Sequence, residues 1–408
     1  MEVQDPIPTT EETKLPQKVH SKIPLILIIV GVVVSMIGIY LIAVNSNKDN
    51  DDNANFQNNE SQTVSNIVAI PEKVLNNKFG FLSGGEEENP FVSNTGGAWV
   101  RPHPGPFLWD DMQTGKNEEI SFVKTDKIVK AQQNQAYGTL VTIWPFAEWD
   151  QLNNLDADRC QVNSEDEFLP QNDQKGHSDY LPLHRCNPHN WESYETWIAA
   201  VVERYDGDGN DDMPGLTIPI KYWEIMNEPD LSYQNADPFL VFYKEGPEEY
   251  ATLLINTARV IRETDSEAQI LIAGAAGGDE RFLNFYRLVF TNTAALQSFD
   301  IGNVHCISND RETHDFNVGE YKKMLLSFSL DNPIWVTEAE AFYGQNAEEN
   351  YEFTKRSTEG AIAAQAEKIF YTRYDFDDFR KDMSVANEVQ AESIEDSTNK
   401  YRTIIGDF

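Results

Sequence analysis

The chain has 408 residues, which is enough for one large α/β domain together with additional segments. Its formal net charge at pH 7 is −35, and a surface of that sign repels phosphates, so nucleic acid is excluded as a partner. An uncharged carbohydrate would meet no such repulsion.

The first strong signal along the chain is an apolar segment at residues 23–44, which contains no charged side chain. As a helix it is long enough to cross a hydrocarbon core of roughly 30 Å, and it lacks the cleavage site of a secretory signal peptide. Lys14, Lys18 and Lys22 precede it, and a mixed, mainly acidic segment follows it. The positive-inside rule therefore predicts a signal anchor in the cell membrane, with residues 1–22 in the cytoplasm and the C-terminal domain extracellular.

Residues 45–72 are rich in Asn and Asp and show no apolar periodicity. A segment of this composition does not bury enough apolar surface to fold, so we expect a flexible acidic linker. The remaining residues, 73–408, form the predicted main domain, with an insertion at about 148–190.

Short β-rich segments alternate with helical segments through the main domain, which is the pattern of a parallel sheet with crossover helices. The predicted strands are residues 79–82, 98–101, 139–144, 221–226, 269–273, 299–306, 334–337 and 368–374. The predicted helices are residues 125–136, 191–205, 247–264, 281–290, 321–328 and 357–368. Eight strands are the number found in a (β/α)8 barrel, or TIM barrel, and this α/β architecture is the predicted fold class.

Two of the predicted strands end in a glutamate. Glu228, within Asn227-Glu228-Pro229, follows the fourth strand, and Glu338 follows the seventh. Strand ends converge on one face of a barrel, so we expect the two carboxyl groups to lie close together. Either one alone is better explained as a solvated residue after a strand. As a pair, they are what retaining glycoside hydrolysis requires, because one carboxyl group protonates the departing oxygen and the other attacks the anomeric carbon.

These motifs resemble those of the clan A retaining glycoside hydrolases, a superfamily of TIM barrels that includes cellulases, mannanases and β-xylosidases. The resemblance covers roughly residues 79–375. It implies that Glu228 is the acid/base and that Glu338 is the nucleophile. It also implies that Asn227 binds the sugar 2-hydroxyl. Two further matches, in Trp-Val-Arg-Pro-His and at the end of the sixth strand, are Arg101 and His305.

The resemblance implies a glycosidase that cleaves O-glycosidic bonds of oligo- or polysaccharides by double displacement and needs no cofactor for catalysis. Glu228 must be protonated when the carbohydrate substrate arrives, whereas Glu338 must be ionised, which Arg101 favours. The chain departs from the family pattern after His305 and in the eighth strand. A catalytically inactive glycan-binding barrel, or an acidic surface module, is therefore the alternative.

Aromatic side chains lie at the ends of, or after, the second, third and eighth strands, where they can stack on the apolar faces of sugar rings. Those that we expect to bind substrate are Trp109, Trp144, Trp149 and Tyr374. The alternative for such residues, and for Trp144 in particular, is a place in the core.

The predicted insertion contains Cys160 and Cys186. An exported domain can form disulfides, so we expect these two cysteines to be bridged, which would stiffen the insertion. Two free thiols are the alternative.

The sequence Asp206-Gly-Asp-Gly-Asn-Asp-Asp212 resembles the first half of a calcium loop. Its alternating oxygen donors are Asp206, Asp208, Asn210 and Asp212. The glycine and the final glutamate of an EF-hand loop are absent, so an acidic turn is an equal alternative. Any calcium bound here would be structural.

Overall fold

The computed structural model describes residues 67–103, 105–162, 181–235, 241–306, 313–341, 344, 346–376 and 391–408. The predicted cytoplasmic segment, the predicted transmembrane helix at 23–44 and the linker up to residue 66 lie outside them. The middle of the predicted insertion, 163–180, lies outside them as well. Among the described helices, none combines the length and the apolar character that a membrane span requires.

Eight parallel strands, numbered β1 to β8 in chain order, form the centre of the domain. They are Phe79–Leu82, Trp99–Arg101, Gly138–Ile143, Tyr222–Ile225, Gln269–Ile272, Gly302–Cys306, Ile334–Ala339 and Ala366–Tyr371. The hydrogen-bonded order is β5-β4-β3-β2-β1-β8-β7-β6, and parallel bridges Leu271–Ile301 and Ala275–Val304 connect the two outer strands. The sheet thus closes on itself, which confirms the predicted eight-stranded barrel.

Within the described residues, seven longer helices, α1 to α7, accompany the strands. They are Val123–Asn134, Trp191–Tyr205, Pro247–Thr264, Glu280–Val289, Val318–Ser327, Ala347–Ala363 and Ala391–Gly406. The first six connect successive strands from β2 to β8, and α7 follows β8. Short helices are present at Glu72–Leu75, Phe91–Thr95, Trp109–Met112, Glu148–Gln151 and Ala157–Cys160, with 3₁₀ turns at Tyr233–Asn235 and Ala295–Gln297.

Helix ends with a clear capping signal are predicted best. α2 begins after Asn190, whose side chain accepts a hydrogen bond from the backbone N–H of Ser193. α3 begins with Pro247, a residue suited to the first turn of a helix. The helix predicted at 357–368 is wrong at both ends, because α6 begins earlier, at Ala347, and ends earlier, at Ala363. Gln365 then adopts a φ of 76° and the chain enters β8.

The barrel interior is arranged in layers, because alternate side chains of each strand face inward. An apolar layer is built from Trp99, Leu140, Tyr222, Leu271, Ile301, Trp335 and Phe370. Two residues further along five of these chain segments stand buried polar side chains, namely Arg101, Thr142, Glu224, Asn303 and Thr337. Polar groups buried this deeply require partners of their own, since they have no access to water. The polar layer therefore forms the base of the site described below.

Cys160 and Cys186 form a disulfide, with their Cα atoms 5.3 Å apart. The bridge joins the short helix Ala157–Cys160 to the chain that leads into α2, and it spans 26 positions of sequence. A cross-link of this length restricts the unfolded chain more than the folded one.

Replacement of both cysteines by alanine is expected to lower the free energy of unfolding by about 3 kcal/mol, from the loop-closure entropy alone. Urea denaturation of the oxidised protein and of Cys160→Ala/Cys186→Ala measures this difference. Reduction of the wild-type protein should reproduce the loss, whereas Cys306→Ala, which removes a buried thiol that is not part of the disulfide, should leave the sensitivity to reductant intact. A wild-type midpoint that does not respond to reductant would contradict the prediction.

Candidate active site

The predicted acid/base Glu228 lies on the first turn of chain beyond β4. Met226 and Glu228 both have left-handed backbone conformations, with φ of 73° and 41°. Non-glycine residues rarely adopt these angles, and they persist only where surrounding contacts enforce them. The two turns direct Asn227 and Glu228 inward, so that both are buried.

Glu228 and Glu338 face each other across the barrel mouth. One carboxylate oxygen of each, together with a ring nitrogen of His305, lie within 4.8 Å of one another. Carboxyl groups about 5–5.5 Å apart characterise retaining glycosidases, whereas inverting enzymes leave a wider gap for water. The close approach of one oxygen from each carboxylate agrees with the narrower, retaining arrangement.

Arg101, at the end of β2, joins three of the site residues. Its guanidinium donates to Glu338 Oε1 at 2.7 Å, to Glu224 Oε2 at 2.8 Å and to Asn227 Oδ1 at 2.7 Å. Burial opposes the charge, but Glu224 and Glu338 more than compensate and raise the pKa of Arg101. Arg101 thus remains a cation that holds Glu338 in place and favours its ionised form.

His305, at the end of β6, connects Glu228 to β7. Its Nδ1 lies 2.6 Å from Glu228 Oε1, and its Nε2 lies 2.8 Å from Thr337 Oγ1. Burial lowers the pKa of His305 to about 4, so the ring is neutral near pH 7. Gly274 makes room for it, since a Cβ at that position would come within 2.0 Å of the ring.

A β-bulge in β7 brings two consecutive side chains into the site. Val304 pairs with Val336, but the next residue, His305, pairs with Glu338, so Thr337 is the extra residue. Regular alternation would direct only one of Thr337 and Glu338 inward. Because of the bulge, Thr337 reaches His305 while Glu338 reaches Arg101.

Glu340, the other acid near the end of β7, has a different role. Its carboxylate receives hydrogen bonds from Arg373 at 3.0 and 3.1 Å and from Thr372 at 3.0 Å. These hydrogen bonds hold the Glu340 side chain against the residues that follow β8. Glu338 is therefore the β7 carboxylate that faces Glu228.

Several buried residues of the site were not among the predicted ones. His103 Nε2 lies 3.8 Å from Glu338 Oε1, and Asp230 accepts from the backbone N–H of Ala276 at 2.9 Å. Burial, and next the charge of Glu228, raise the pKa of Asp230 well above its usual value. The others are the members of the polar layer, Thr142, Glu224, Asn303 and Thr337. Their signal in the sequence is a polar residue inside an otherwise apolar strand.

The aromatic predictions need correction. Trp109 and Trp144 are fully buried: Trp109 packs against Trp149, Tyr194 and Trp197 of the core, and Trp144 packs against the rings of His103 and Phe242. Neither has a ring face available to a sugar. The β3–β4 connection packs against Trp109, whereas Trp144 packs against residues of the β2–β3 and β4–β5 connections. Trp149 is partly exposed, and substrate contact by Trp149 stays a prediction.

Tyr374 lies beside a cavity of about 670 Å³ at the same end of the barrel. The cavity is lined by residues that follow β1, β2 and β8, including Ser83, Glu87, His103 and Tyr374. The hydroxyl of Tyr374 donates to Ser83 Oγ at 3.0 Å. His103 borders the cavity and also approaches Glu338, but Glu228 and Glu338 themselves do not line it.

The predicted calcium loop is partly assembled. Oxygens of Asp206, Asp208 and Asp212 lie within 4.8 Å of one another, and burial raises the pKa of Asp206 to about 7. The Asn210 side-chain amide, however, donates to Asp208 at 2.7 Å, and Asp212 accepts from two backbone N–H groups of the loop. Calcium binding stays a prediction.

Glu228, His305 and Glu338 form a second group with suitable spacing for a cation. The guanidinium of Arg101 already places a positive charge 2.7 Å from Glu338, and a metal ion would be repelled by it. The arrangement suits acid–base and nucleophilic chemistry by the side chains themselves.

The fold and the site together define a (β/α)8 barrel with two opposed carboxyl groups at the carboxyl ends of β4 and β7. Structures of similar fold include a glucosidase from Croceicoccus marinus, with 12% identity and a TM-score of 0.54 over 83% of this chain and 68% of that one. They also include an endo-1,4-beta-mannanase from Rhizomucor miehei, with 13% identity and a TM-score of 0.50 over 81% of this chain and 95% of that one. No protein-family model matches the sequence, and no curated protein matches it. At these identities the similarity establishes the barrel fold.

Proposed function

We propose that this protein is a retaining glycoside hydrolase that cleaves O-glycosidic bonds in oligo- or polysaccharides. The observation that carries the proposal is the opposed pair, Glu228 and Glu338, whose oxygens lie within 4.8 Å. The buried cation Arg101, bound to Glu338, and the neutral ring of His305, bound to Glu228, give the two carboxyl groups different surroundings. Such a difference is what allows one acid and one nucleophile to coexist.

In the proposed reaction, Glu338 attacks the anomeric carbon while Glu228 donates its proton to the departing glycosidic oxygen. The result is a glycosyl ester on Glu338 and a free alcohol. Glu228, now ionised, takes a proton from water as that water attacks the same carbon, and the ester bond breaks. Both carboxyl groups return to their starting states, and the sugar leaves with its original anomeric configuration.

A panel of aryl glycosides tests this function. Proton NMR of the reaction mixture should show that the first-formed sugar has the same anomeric configuration as the substrate. An inverted product would contradict the double-displacement mechanism. If no member of a broad panel is hydrolysed while a glycan screen shows binding, the barrel is a glycan-binding module and the enzymatic proposal fails.

The activity should fall in acid at a higher pH than an ordinary carboxyl group would dictate. Burial raises the pKa of Glu338 above 4.5, so its proton is lost at a higher pH than usual. Attack needs the ionised form, and kcat/KM for the free enzyme therefore declines as the pH drops through this raised pKa. A pH profile of kcat/KM with one aryl glycoside measures the midpoint. An acid limb at or below 4.5 would contradict the prediction, and Glu340→Gln should leave the limb where it is.

For its location, we propose that the domain is held outside the cell by the apolar segment at residues 23–44. Support comes from the uncharged run and the preceding lysines Lys14, Lys18 and Lys22. The Cys160–Cys186 disulfide adds to it, since such bonds persist in oxidising compartments. Protease treatment of intact cells should remove the domain and leave a membrane-bound N-terminal fragment; full protection, or release without a fragment, would contradict this location.

A further inference from the structure

We propose that a buried chain of hydrogen bonds, from Glu224 through Asn303 and Thr337 to His305, fixes the proton of Glu228. The chain makes His305 carry its proton on Nε2, so that Nδ1 accepts a hydrogen bond from a protonated Glu228. Asn303 and Thr337 are thus positioning residues that act through His305. This inference rests on the proposed function, because it concerns the acid/base of that reaction.

Glu224 is the fixed end of this series of hydrogen bonds, because its carboxylate only accepts hydrogen bonds from its neighbours. Arg101 donates to Oε2 at 2.8 Å, Thr142 donates its hydroxyl to the same oxygen, and the side-chain amide of Asn303 donates to Oε1 at 2.6 Å. Glu224 also forms an ion pair with Arg101, and a carboxylate can only accept hydrogen bonds.

Asn303 transmits this constraint to Thr337. Its amide nitrogen is directed to Glu224, so its carbonyl oxygen is directed to Thr337, whose hydroxyl donates to it at 2.9 Å. Glu224 Oε1, at 3.3 Å from Thr337 Oγ1, is also an acceptor. A threonine hydroxyl has one proton, and either of these acceptors uses it.

The oxygen of Thr337 must therefore accept from its remaining neighbour, His305 Nε2, at 2.8 Å. Burial keeps the imidazole neutral by lowering its pKa, and a neutral ring has one N–H only. With the proton on Nε2, the Nδ1 atom is an acceptor. Glu228 Oε1, 2.6 Å away, must supply the proton for that bond.

The charges around Glu228 agree with this assignment. From β2, Arg101 supplies one positive charge to the two carboxylates of Glu224 and Glu338. The groups that face Glu228 are Glu338 from β7, Asp230 from its own loop, His305 from β6 and Tyr286 from α4. Burial raises the pKa values of Asp230 and Tyr286, which favours their neutral forms. An ionised Glu228 would add an unbalanced negative charge beside Glu338.

The same geometry serves both halves of the proposed reaction. Before cleavage, Glu228 holds the proton that the departing oxygen requires. After it has given up that proton, its carboxylate faces the lone pair of Nδ1 and receives no hydrogen bond from it. An anion without that stabilisation is a stronger base toward water.

Thr337→Val tests the inference, because valine keeps the shape of threonine and removes the hydroxyl. His305 then loses the acceptor for its Nε2 proton, and the ring is expected to move its proton to Nδ1 and donate to Glu228. That bond stabilises the carboxylate of Glu228, so the basic limb of the kcat/KM profile should move to lower pH and kcat/KM on that limb should fall about tenfold.

The direct measurement is nitrogen-15 NMR of histidine-labelled full-length protein, with the His305 signals assigned from His305→Gln. The wild type should show Nε2 protonated and Nδ1 unprotonated, and Thr337→Val should show the reverse. Thr142→Val, which removes a hydroxyl from the same Glu224 oxygen but leaves the bonds of His305 in place, should keep the wild-type pattern.

A wild-type ring protonated on Nδ1 would overturn the inference, as would a Thr337→Val variant with unchanged ring and basic limb. If Thr337→Val does not fold, the wild-type spectrum alone decides. The two proposals can fail separately. If the protein hydrolyses no glycoside but His305 is protonated on Nε2, the proposed function is wrong and the inference about the hydrogen bonds stands. If the protein is an active glycosidase but His305 is protonated on Nδ1, the proposed function stands and this inference is wrong.

Discussion

Glu338→Gln is expected to lower kcat for every glycoside by about 10⁴-fold to 10⁶-fold, as removal of a nucleophile does in covalent catalysis. Glutamine has the same shape, and its amide oxygen can still accept from Arg101, which lies 2.7 Å from Glu338. Because Arg101 keeps its partner Glu224, the fold should survive. The loss would therefore report the missing nucleophile.

Glu340→Gln is the matched control, since it makes the same chemical change two residues later, just beyond the end of β7. Glu340 is bound to Arg373, so its replacement should leave kcat within a few-fold of the wild type. Initial rates of both variants with an aryl glycoside decide the matter. A severe loss in Glu340→Gln with little loss in Glu338→Gln would contradict the assignment of the nucleophile.

Glu228→Gln is expected to have an effect that depends on the leaving group. For a poor leaving group, which needs protonation, kcat/KM should fall about 10²-fold to 10⁴-fold, the usual contribution of general acid catalysis. For a dinitrophenyl glycoside, which departs without protonation, formation of the glycosyl ester should be affected little. Its hydrolysis should then be slow, because no base remains to activate water.

Two measurements separate these steps. A pre-steady-state burst of dinitrophenol should appear in Glu228→Gln, and added azide, which needs no base, should restore turnover and give a glycosyl azide of unchanged anomeric configuration. Equal losses for good and poor leaving groups, without rescue by azide, would contradict the role of Glu228 as acid/base.

The barrel was predictable because its signals are local. Each strand is a short apolar run with an inward residue at every second position, and helices such as α2 and α3 carry clear capping residues. The two catalytic candidates also have a local signal, since each follows directly on such a run. The C-terminal helix α7 was missed, and its place depends on contacts between distant parts of the chain, such as Tyr401 against Phe81.

The polar layer and the bulge could not be predicted in the same way. The contact of Thr337 with His305 depends on a register shift in β7, which arises from pairing between strands far apart in the chain. Glu224 is an acid within an apolar strand, and its partner Arg101 lies 123 residues away. Glu224 and Arg101 meet only because the strands that carry them are brought together in the closed barrel.

The prediction that Trp109 and Trp144 contact substrate needed correction for a related reason. A tryptophan after a strand is suited equally to a sugar and to the core, and only the packing of the connections between strands decides between them. Trp109 and Trp144 are both buried, the first against the β3–β4 connection and the second against His103 and Phe242. The cavity instead lies beside the loops after β1, β2 and β8.

Covalent trapping tests the central claim most directly. A set of 2-deoxy-2-fluoro-glycosides with good leaving groups, differing in the sugar, would be incubated with the enzyme, and the labelled peptide identified by mass spectrometry. We predict one fluoroglycosyl group per molecule, on Glu338, and none in Glu338→Gln. Hydrolysis of the parent glycosides with the label on another carboxylate, such as Glu224 or Glu340, or with no covalent intermediate at all, would contradict the account.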